Sequence, residues 1–313
     1  MTLEGQVIQW LMQKLPTSDE LAVGLGDDAA VIRRAAGNQV VTTDLLSDDI
    51  DFLVDEVSPG QIGHKALGVN LSDLAAMAAR PQAVVVSLLL PNAGSRLHSA
   101  LELAIGIYEG MLPLADSLDV TIAGGDTNAW EGKLAISITA LGETTELGPL
   151  TRSGGQPGDR LLVTGRLGGS ILGRHLDVEP RISEALVLHE LYKLNAGIDI
   201  SDGLSLDASR LAEASRLGAV MDLSAIPLSE AAHEMSRVDG RSAVDHALSD
   251  GEDFELLLAV PPAEADCLLR DQPLDVPITC IGELIEQPGL WQREAGGQTE
   301  SLEPRGWEHG TST

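Results

Sequence analysis

The sequence predicts a mixed α/β chain folded as two domains. Apolar runs of strand length alternate with amphipathic stretches of helical length along nearly the whole chain. Its 313 residues are enough for two cores at about 150 residues each. Between Leu147 and Gly158 the chain concentrates Gly148, Pro149, Gly154, Gly155, Pro157 and Gly158, the composition of a junction. The division is therefore expected at residues 1–147 and 148–313.

In order, Met1 to Leu15 reads as an amphipathic helix, and Ala29–Ile32 and Gln39–Thr43 read as strands. Ser58 is a good N-cap with Pro59 at the first helical position, and Ile62, Ala66, Leu67, Leu71, Leu74 and Ala78 follow at helical spacing until Pro81 stops the segment. Asp73 therefore falls inside a mostly apolar helix, where a carboxylate needs a partner or marks a site. Ala83–Leu90 is a buried strand closed by Pro91. Leu97–Leu118 is a helix kinked by Pro113. Val120–Ala123 is a strand ending in Gly124-Gly125-Asp126, and Leu134–Leu141 alternates as a strand does. Beyond the junction the strands are Arg160–Thr164, Gly197–Ile200, Val220–Leu223, Phe254–Val260 and Ile278–Leu284. The helices are Ile182–Leu194, Leu204–Leu217, Glu230–Met235, Ser242–Leu248 and Ala263–Arg270. From Gln287 to Thr313 little periodicity remains.

Composition excludes several classes. Hydrophobic residues make up 43% and aromatics 3%, so the core must be aliphatic. No run approaches the roughly 20 apolar residues that span a bilayer, and Met1 to Leu15 lacks a basic leader pattern, so a cytoplasmic location is expected. Cys267 and Cys280 are too few for a disulfide framework and lack metal-site spacing. A net charge of −28 with only Lys14, Lys65, Lys133 and Lys193 as lysines argues against a nucleic-acid partner.

Five segments place aspartate beside glycine, serine or threonine near an element boundary: Gly24-Leu25-Gly26-Asp27-Asp28, Thr42-Thr43-Asp44, Asn70-Leu71-Ser72-Asp73, Gly124-Gly125-Asp126-Thr127 and Asp199-Ile200-Ser201-Asp202-Gly203. Carboxylates brought together repel one another and are costly to desolvate unless cations neutralise them. Together the segments suggest a site holding several Mg²⁺ ions against a polyphosphate. Some of these stretches have a blander reading as well. Ser201 or Asp202 caps a helix, Gly124-Gly125-Asp126 is a turn, Asp27-Asp28 is a surface pair, and Gly251-Glu252-Asp253 is a helix-to-strand turn. Arg152, in the junction, is either a surface charge or a bidentate phosphate ligand. Familiar alternatives fail. Gly132-Lys133 lacks the P-loop pattern, and a calcium loop begun at Asp199 would need glutamate where Arg210 stands. The seven histidines form no clear ligand pair.

The order of these segments resembles the thiamine-monophosphate kinases, members of the superfamily of aminoimidazole ribonucleotide synthetase and selenophosphate synthetase. The resemblance extends through Lys65-Ala-Leu-Gly-Val-Asn-Leu-Ser-Asp-Leu-Ala-Ala-Met77, Thr151-Arg-Ser-Gly154, Pro157-Gly-Asp159, His175-Leu, Pro180-Arg181 and Gly251-Glu-Asp-Phe-Glu-Leu256, from about residue 24 to 284. It implies an N-terminal mixed sheet with helices on one face that dimerises through that sheet, and a C-terminal α/β domain packed against it. It implies ATP- and Mg²⁺-dependent phosphoryl transfer to thiamine monophosphate, direct and without a phosphoenzyme. Carried over by position, Asp28, Thr42, Thr43, Asp44, Asp73, Asp126, Asp199 and Asp202 would be metal ligands. Tyr108, Gly125, Asp126, Arg152 and Ser201 would contact ATP, and Asp51, Glu252 and Trp307 would lie near the acceptor. The family's usual histidine before Phe52 is replaced by Asp51, the connection from Ser170 to His175 is short enough that a helix is expected to be missing, and Asp250 stands where glycine is usual. The other readings are a superfamily relative using ATP on a different small acceptor and a non-catalytic acidic metal-binding protein. Selenophosphate synthesis is disfavoured because no cysteine precedes Gly24.

Overall fold

The computed structural model describes residues 21–23, 26–34, 37–293 and 298–307, so the helix expected at Met1 to Leu15 lies outside the described residues. Two β-sheets organise the chain. The first contains β1 (Leu21–Val23), β2 (Ala30–Arg33), β3 (Asn38–Ser47), β4 (Ala79–Pro91), β5 (Thr121–Trp130) and β6 (Ala135–Thr144), in the order β1-β2-β3-β6-β4-β5. Only β4 and β5 run parallel, so the sheet is mixed. Helices α1 (Pro59–Ala76) and α2 (Ala100–Ser117) cover one face. The opposite face leaves Leu45 and Val85 exposed.

Local chemistry places both helices. Ser58 accepts from the Gln61 N–H while the Gln61 side chain accepts from the Ser58 N–H, a capping box that begins α1. Ser99 and Glu102 make the same reciprocal pair at α2. Helix α1 ends before Pro81, which instead sits in β4 beside a register shift between Pro81 and Ala83. A bulge is where a strand tolerates a residue without an N–H.

The second sheet comprises β7 (Arg160–Thr164), β8 (Ala196–Asp199), β9 (Gly218–Met221), β10 (Leu256–Val260), β11 (Ile278–Ile285), β12 (Gly289–Arg293) and β13 (Thr299–Ser301), in the order β13-β12-β9-β11-β7-β10-β8. Helices α3 (Ile182–Leu191), α4 (Leu204–Ala214), α5 (Glu230–Asp239), α6 (Ala243–Ser249) and α7 (Pro262–Asp271) complete the half. Leu162, Leu256 and Leu258 join the core shared with the first sheet, whereas Leu161, Val163 and Leu257 join a second core with α4. Strands buried on both faces explain the unbroken apolar runs. Between β7 and α3 the chain forms two single 3-10 turns, at Ser170–Leu172 and Arg174–Leu176. Strands β1, β12 and β13 carry no strong alternation and were not expected.

Two site segments sit differently from their sequence reading. Thr42-Thr43-Asp44 lies in the middle of β3 rather than at the end of a strand, and Gly124-Gly125-Asp126 lies inside β5 rather than at its end.

Candidate active site

Strand β3 alternates Val40, Thr42, Asp44 and Leu46 towards α1, with Thr43 and Leu45 on the open face. Asp73, in the last turn of α1, meets the first row, and Thr42 Oγ1 donates to Asp73 Oδ2 at 2.5 Å. Three carboxylates from distant segments converge there. Ligand atoms of Asp28, Asp73 and Asp199 lie within 4.8 Å of one another. Of the five aspartate segments expected at one site, three meet here, through Asp28, Asp73 and Asp199. Asp44 and Asp202 border the cluster, since Asp44 acts electrostatically on Asp73, and Asp202 on Asp44.

The supporting partners are specific. Ser72 Oγ donates to Asp199 Oδ2 at 2.6 Å, and the Asp44 N–H donates to Asn70 Oδ1 at 3.1 Å. Arg152 reaches across from the junction, with Nη2 donating to Asp28 Oδ1 at 2.5 Å. Its backbone N–H donates to both Asp27 oxygens. Buried Asp207 accepts from the N–H groups of Asp202 and Gly203 and so shapes the loop that carries Asp202. Arg210 pairs with both Asp202 and Asp207. Sequence reasoning named neither Asp207 nor Arg210 as site residues. Asn70 and Ser72 lay inside a quoted segment without a role.

Other expected residues lie apart from the cluster. Thr43 Oγ1 donates to the Ile138 carbonyl at 3.1 Å on the open face. Across the sheet, register aligns Asp44 with Ile138, Val86 and Gly125. Gly125 is thus three strands away, about 14 Å at the usual strand spacing, and exposed Asp126 belongs to the next row, with Ser87, Ser137 and Leu45. A Cβ on Gly125 would lie 1.7 Å from the Val86 carbonyl, so strand contact alone requires glycine there. Tyr108 is half-buried on α2 at the rim of the core. At the other end, the Ser201 carbonyl accepts from the Glu252 N–H at 2.6 Å and the Asp202 carbonyl from the Trp307 N–H at 2.9 Å. Asp51 turns its carboxylate back on its own turn, where Oδ2 accepts from the Ser47 N–H at 2.6 Å. A cavity of about 820 Å³ is lined by residues including His64, Arg174 and Asp177 and by none of the expected site residues.

The electrostatics suit cations. Burial, then the neighbouring carboxylates, raises Asp73 and Asp199 well above the usual aspartate range. Burial, then Asp51 and Asp202, pushes Asp44 up to about 6. Asp27 rises to about 6 through burial and Asp28. Asp28 Oδ2 is buried without a hydrogen-bond partner among the described residues. Such an oxygen is costly unless an ion meets it, and an all-oxygen donor set suits a hard divalent cation.

A pH dependence follows. In a carboxylate whose folded pKa exceeds its unfolded value near 4, stability is fully present below that value and is lost as pH rises through the folded pKa. The metal-free protein is therefore expected to lose melting temperature between pH 5 and pH 8. Buried His175, whose pKa burial lowers, opposes this as one group against several. Excess Mg²⁺ should flatten the fall. Scanning calorimetry in chelator and in Mg²⁺ checks it, and a metal-free melting temperature that is constant or rising over that window would contradict it.

Two family models match the chain, the AIR synthase related protein N-terminal domain over residues 26–144 and the C-terminal domain over residues 156–290. A thiamine-monophosphate kinase of Rhodopirellula baltica is 43% identical over 316 residues, covering 98% of each chain. One of Haemophilus influenzae is 34% identical over 303 residues, covering 90% of this chain and 88% of its own. Among solved structures, one described as AaThiL complexed with AMPPCP and TMP superimposes with a TM-score of 0.82 at 27% identity, covering 98% of this chain and 97% of its own.

Proposed function

Since the chain belongs to the AIR synthase related family, and within it to the thiamine-monophosphate kinases, we propose that the carboxylate cluster is where ATP phosphorylates thiamine monophosphate to thiamine diphosphate. The observation that carries the siting is the convergence of Asp28, Asp73 and Asp199 beside Arg152, at the meeting of two sheets. Of the expected ligands, Asp28, Thr42, Asp44, Asp73, Asp199 and Asp202 would hold Mg²⁺ at this cluster, and Thr43 and Asp126 would hold it only at a separate point on the open face of the first sheet. When bound, Mg²⁺ supplies the charge neutralisation that phosphoryl transfer demands.

The chain's own residues do the rest. Among the described residues the buried Arg152 Nε–H has no partner, and it is a donor available to a phosphate oxygen. Ser72 and Asn70 hold Asp199 and the Asp44 backbone in place, so the donor set is organised before substrate arrives. The acceptor is a phosphate oxygen, largely ionised near neutral pH with a second pKa of about 6. No general base is needed, and transfer is direct and in line. Glu252 and Trp307, both anchored on the Ser201-Asp202 backbone, would meet the organic part of the acceptor, with the indole stacking on a ring.

Further parts of the proposal are a domain division at residue 147, a cytoplasmic location and a homodimer formed through the first sheet. Edge strand β5 is exposed along most of its length, and Leu45, Val85 and Trp130 are exposed on the same sheet, which supports pairing with a second copy. Among the described residues no helix is long and apolar enough to cross a membrane.

The test is to incubate the protein with ATP, Mg²⁺ and thiamine monophosphate and to follow thiamine diphosphate and ADP. ADP formed only with another acceptor would move the protein to a different reaction of the superfamily. Asp126→Asn is expected to remove turnover while leaving circular dichroism unchanged, because the residue is exposed on an edge strand. Near-normal turnover would take Asp126 out of the site.

A further inference from the structure

Lys65, in the second turn of α1, is buried to 1% exposure, yet its ammonium has two partners from opposite halves of the chain. It donates to the Asp51 carbonyl at 2.7 Å and to Glu252 Oε1 at 2.6 Å. The first belongs to the turn that ends β3, the second to the loop before β10. That loop is held in an unusual backbone state, with Glu252 at φ 53 and Phe254 at φ 50. Such conformations persist only where the surroundings over-determine them. Hydrogen bonds from the Glu252 and Phe254 N–H groups to the Ser201 and Ile200 carbonyls do part of this.

A buried ion pair is a weak source of stability. Position 65 lies among buried Ile62, Ala66 and Val69, where an apolar residue would serve packing as well. What the lysine adds is placement. It occupies Oε1 of Glu252, leaves Oε2 as an acceptor, and offsets the carboxylate's charge in a site already crowded with aspartates. Resting on the acceptor assignment above, we propose that Lys65 is a positioning residue for the acceptor. It fixes Glu252 against the Asp51 turn so that the free carboxylate oxygen meets a hydrogen-bond donor on the acceptor's aminopyrimidine. Asp51, with its carboxylate closed on Ser47, contributes its backbone carbonyl to the same clamp.

The experiment is a double-mutant cycle on the full chain, with Lys65→Met, Glu252→Gln and the double variant. Methionine suits the apolar surroundings, and Glu252, 34% exposed, can be hydrated when released. Lys65→Met is expected to raise KM for thiamine monophosphate about tenfold while KM for ATP stays near that of the unchanged protein. Lys65→Gln, which retains a donor, should recover part of the loss, and the double variant should be no weaker than Glu252→Gln alone. Additive effects, or equal rises in KM for both substrates, would overturn the proposal. If Lys65→Met does not fold, Lys65→Gln takes its place in the cycle under the same criteria. Absence of thiamine monophosphate turnover in the unchanged protein would instead remove the acceptor assignment, and the clamp with it.

Discussion

Asp73→Asn is expected to lower phosphoryl transfer at least about a thousandfold and, at the same time, to raise the melting temperature of the metal-free protein by a few degrees, about 2 °C or more. Asparagine nearly matches aspartate in shape and still offers Thr42 an oxygen to replace the 2.5 Å bond. What it removes is charge. Asp73 sits within 4.8 Å of Asp28 and Asp199, and burial and those neighbours raise its pKa well above the ordinary range. Without cations the ionised carboxylate is a cost to the fold. With them it is a ligand, which a neutral amide replaces poorly. Activity and metal-free stability must therefore move in opposite directions. A purely structural carboxylate would lose stability on substitution, so a fall in the metal-free melting temperature would contradict the assignment, as would retained turnover.

The strongest local patterns were legible in the sequence. Ser58-Pro59 with its helical apolar spacing yields α1 starting at Pro59, and the short apolar run Arg160–Thr164 is β7. Strand length was harder to read where small or polar residues continue a strand. Thr42-Thr43-Asp44 and Gly124-Gly125-Asp126 read as strand ends because glycine and aspartate are poor strand formers. Pairing with β6 and β4 carries both strands through them. Strands β12 and β13 escaped notice because they are short and, in β13, exposed, so no alternation marks them.

The site was legible only as a set. Single aspartates at caps and turns are common, and it was their collinearity that pointed to a common centre. The structure brings together Asp28, Asp73 and Asp199, with Asp44 and Asp202 beside them. It leaves Thr43 and Asp126 on the open sheet face. The second layer was hidden for a physical reason. Lys65 meets Glu252 from a segment far along the chain, and spacing carries no trace of such a contact, whereas Asp207 and Arg210 reach Asp202 from five and eight residues away at spacings that any charged helix shows.

The other large effect concerns the contact that holds α1 in place. Helices α1 and α2 touch through their backbones. A Cβ on Gly63 would lie 1.9 Å from the Ile107 carbonyl, and one on Gly110 would lie 1.9 Å from the Gly60 carbonyl. Neither obstacle is a side-chain tip that can swing aside, so any larger residue must push the helices apart. Gly110→Val is expected to cost about 3 kcal/mol or more, at the upper end of overpacking penalties, on top of the poor helix propensity of a β-branched residue. The consequence reaches the site because α1 carries Lys65, Asn70, Ser72 and Asp73 on one rigid element. A shift of its axis moves every one of these groups relative to β3 and Asp199. Denaturant unfolding should show the loss of stability, and the surviving folded fraction should bind Mg²⁺ more weakly than the unchanged protein. Gly148→Val, where a Cβ meets nothing within 4 Å, is the control for added bulk alone, although its φ of 87° adds strain of its own. If Gly110→Val destabilised the protein no more than this control, close helix contact would not be what positions the carboxylates.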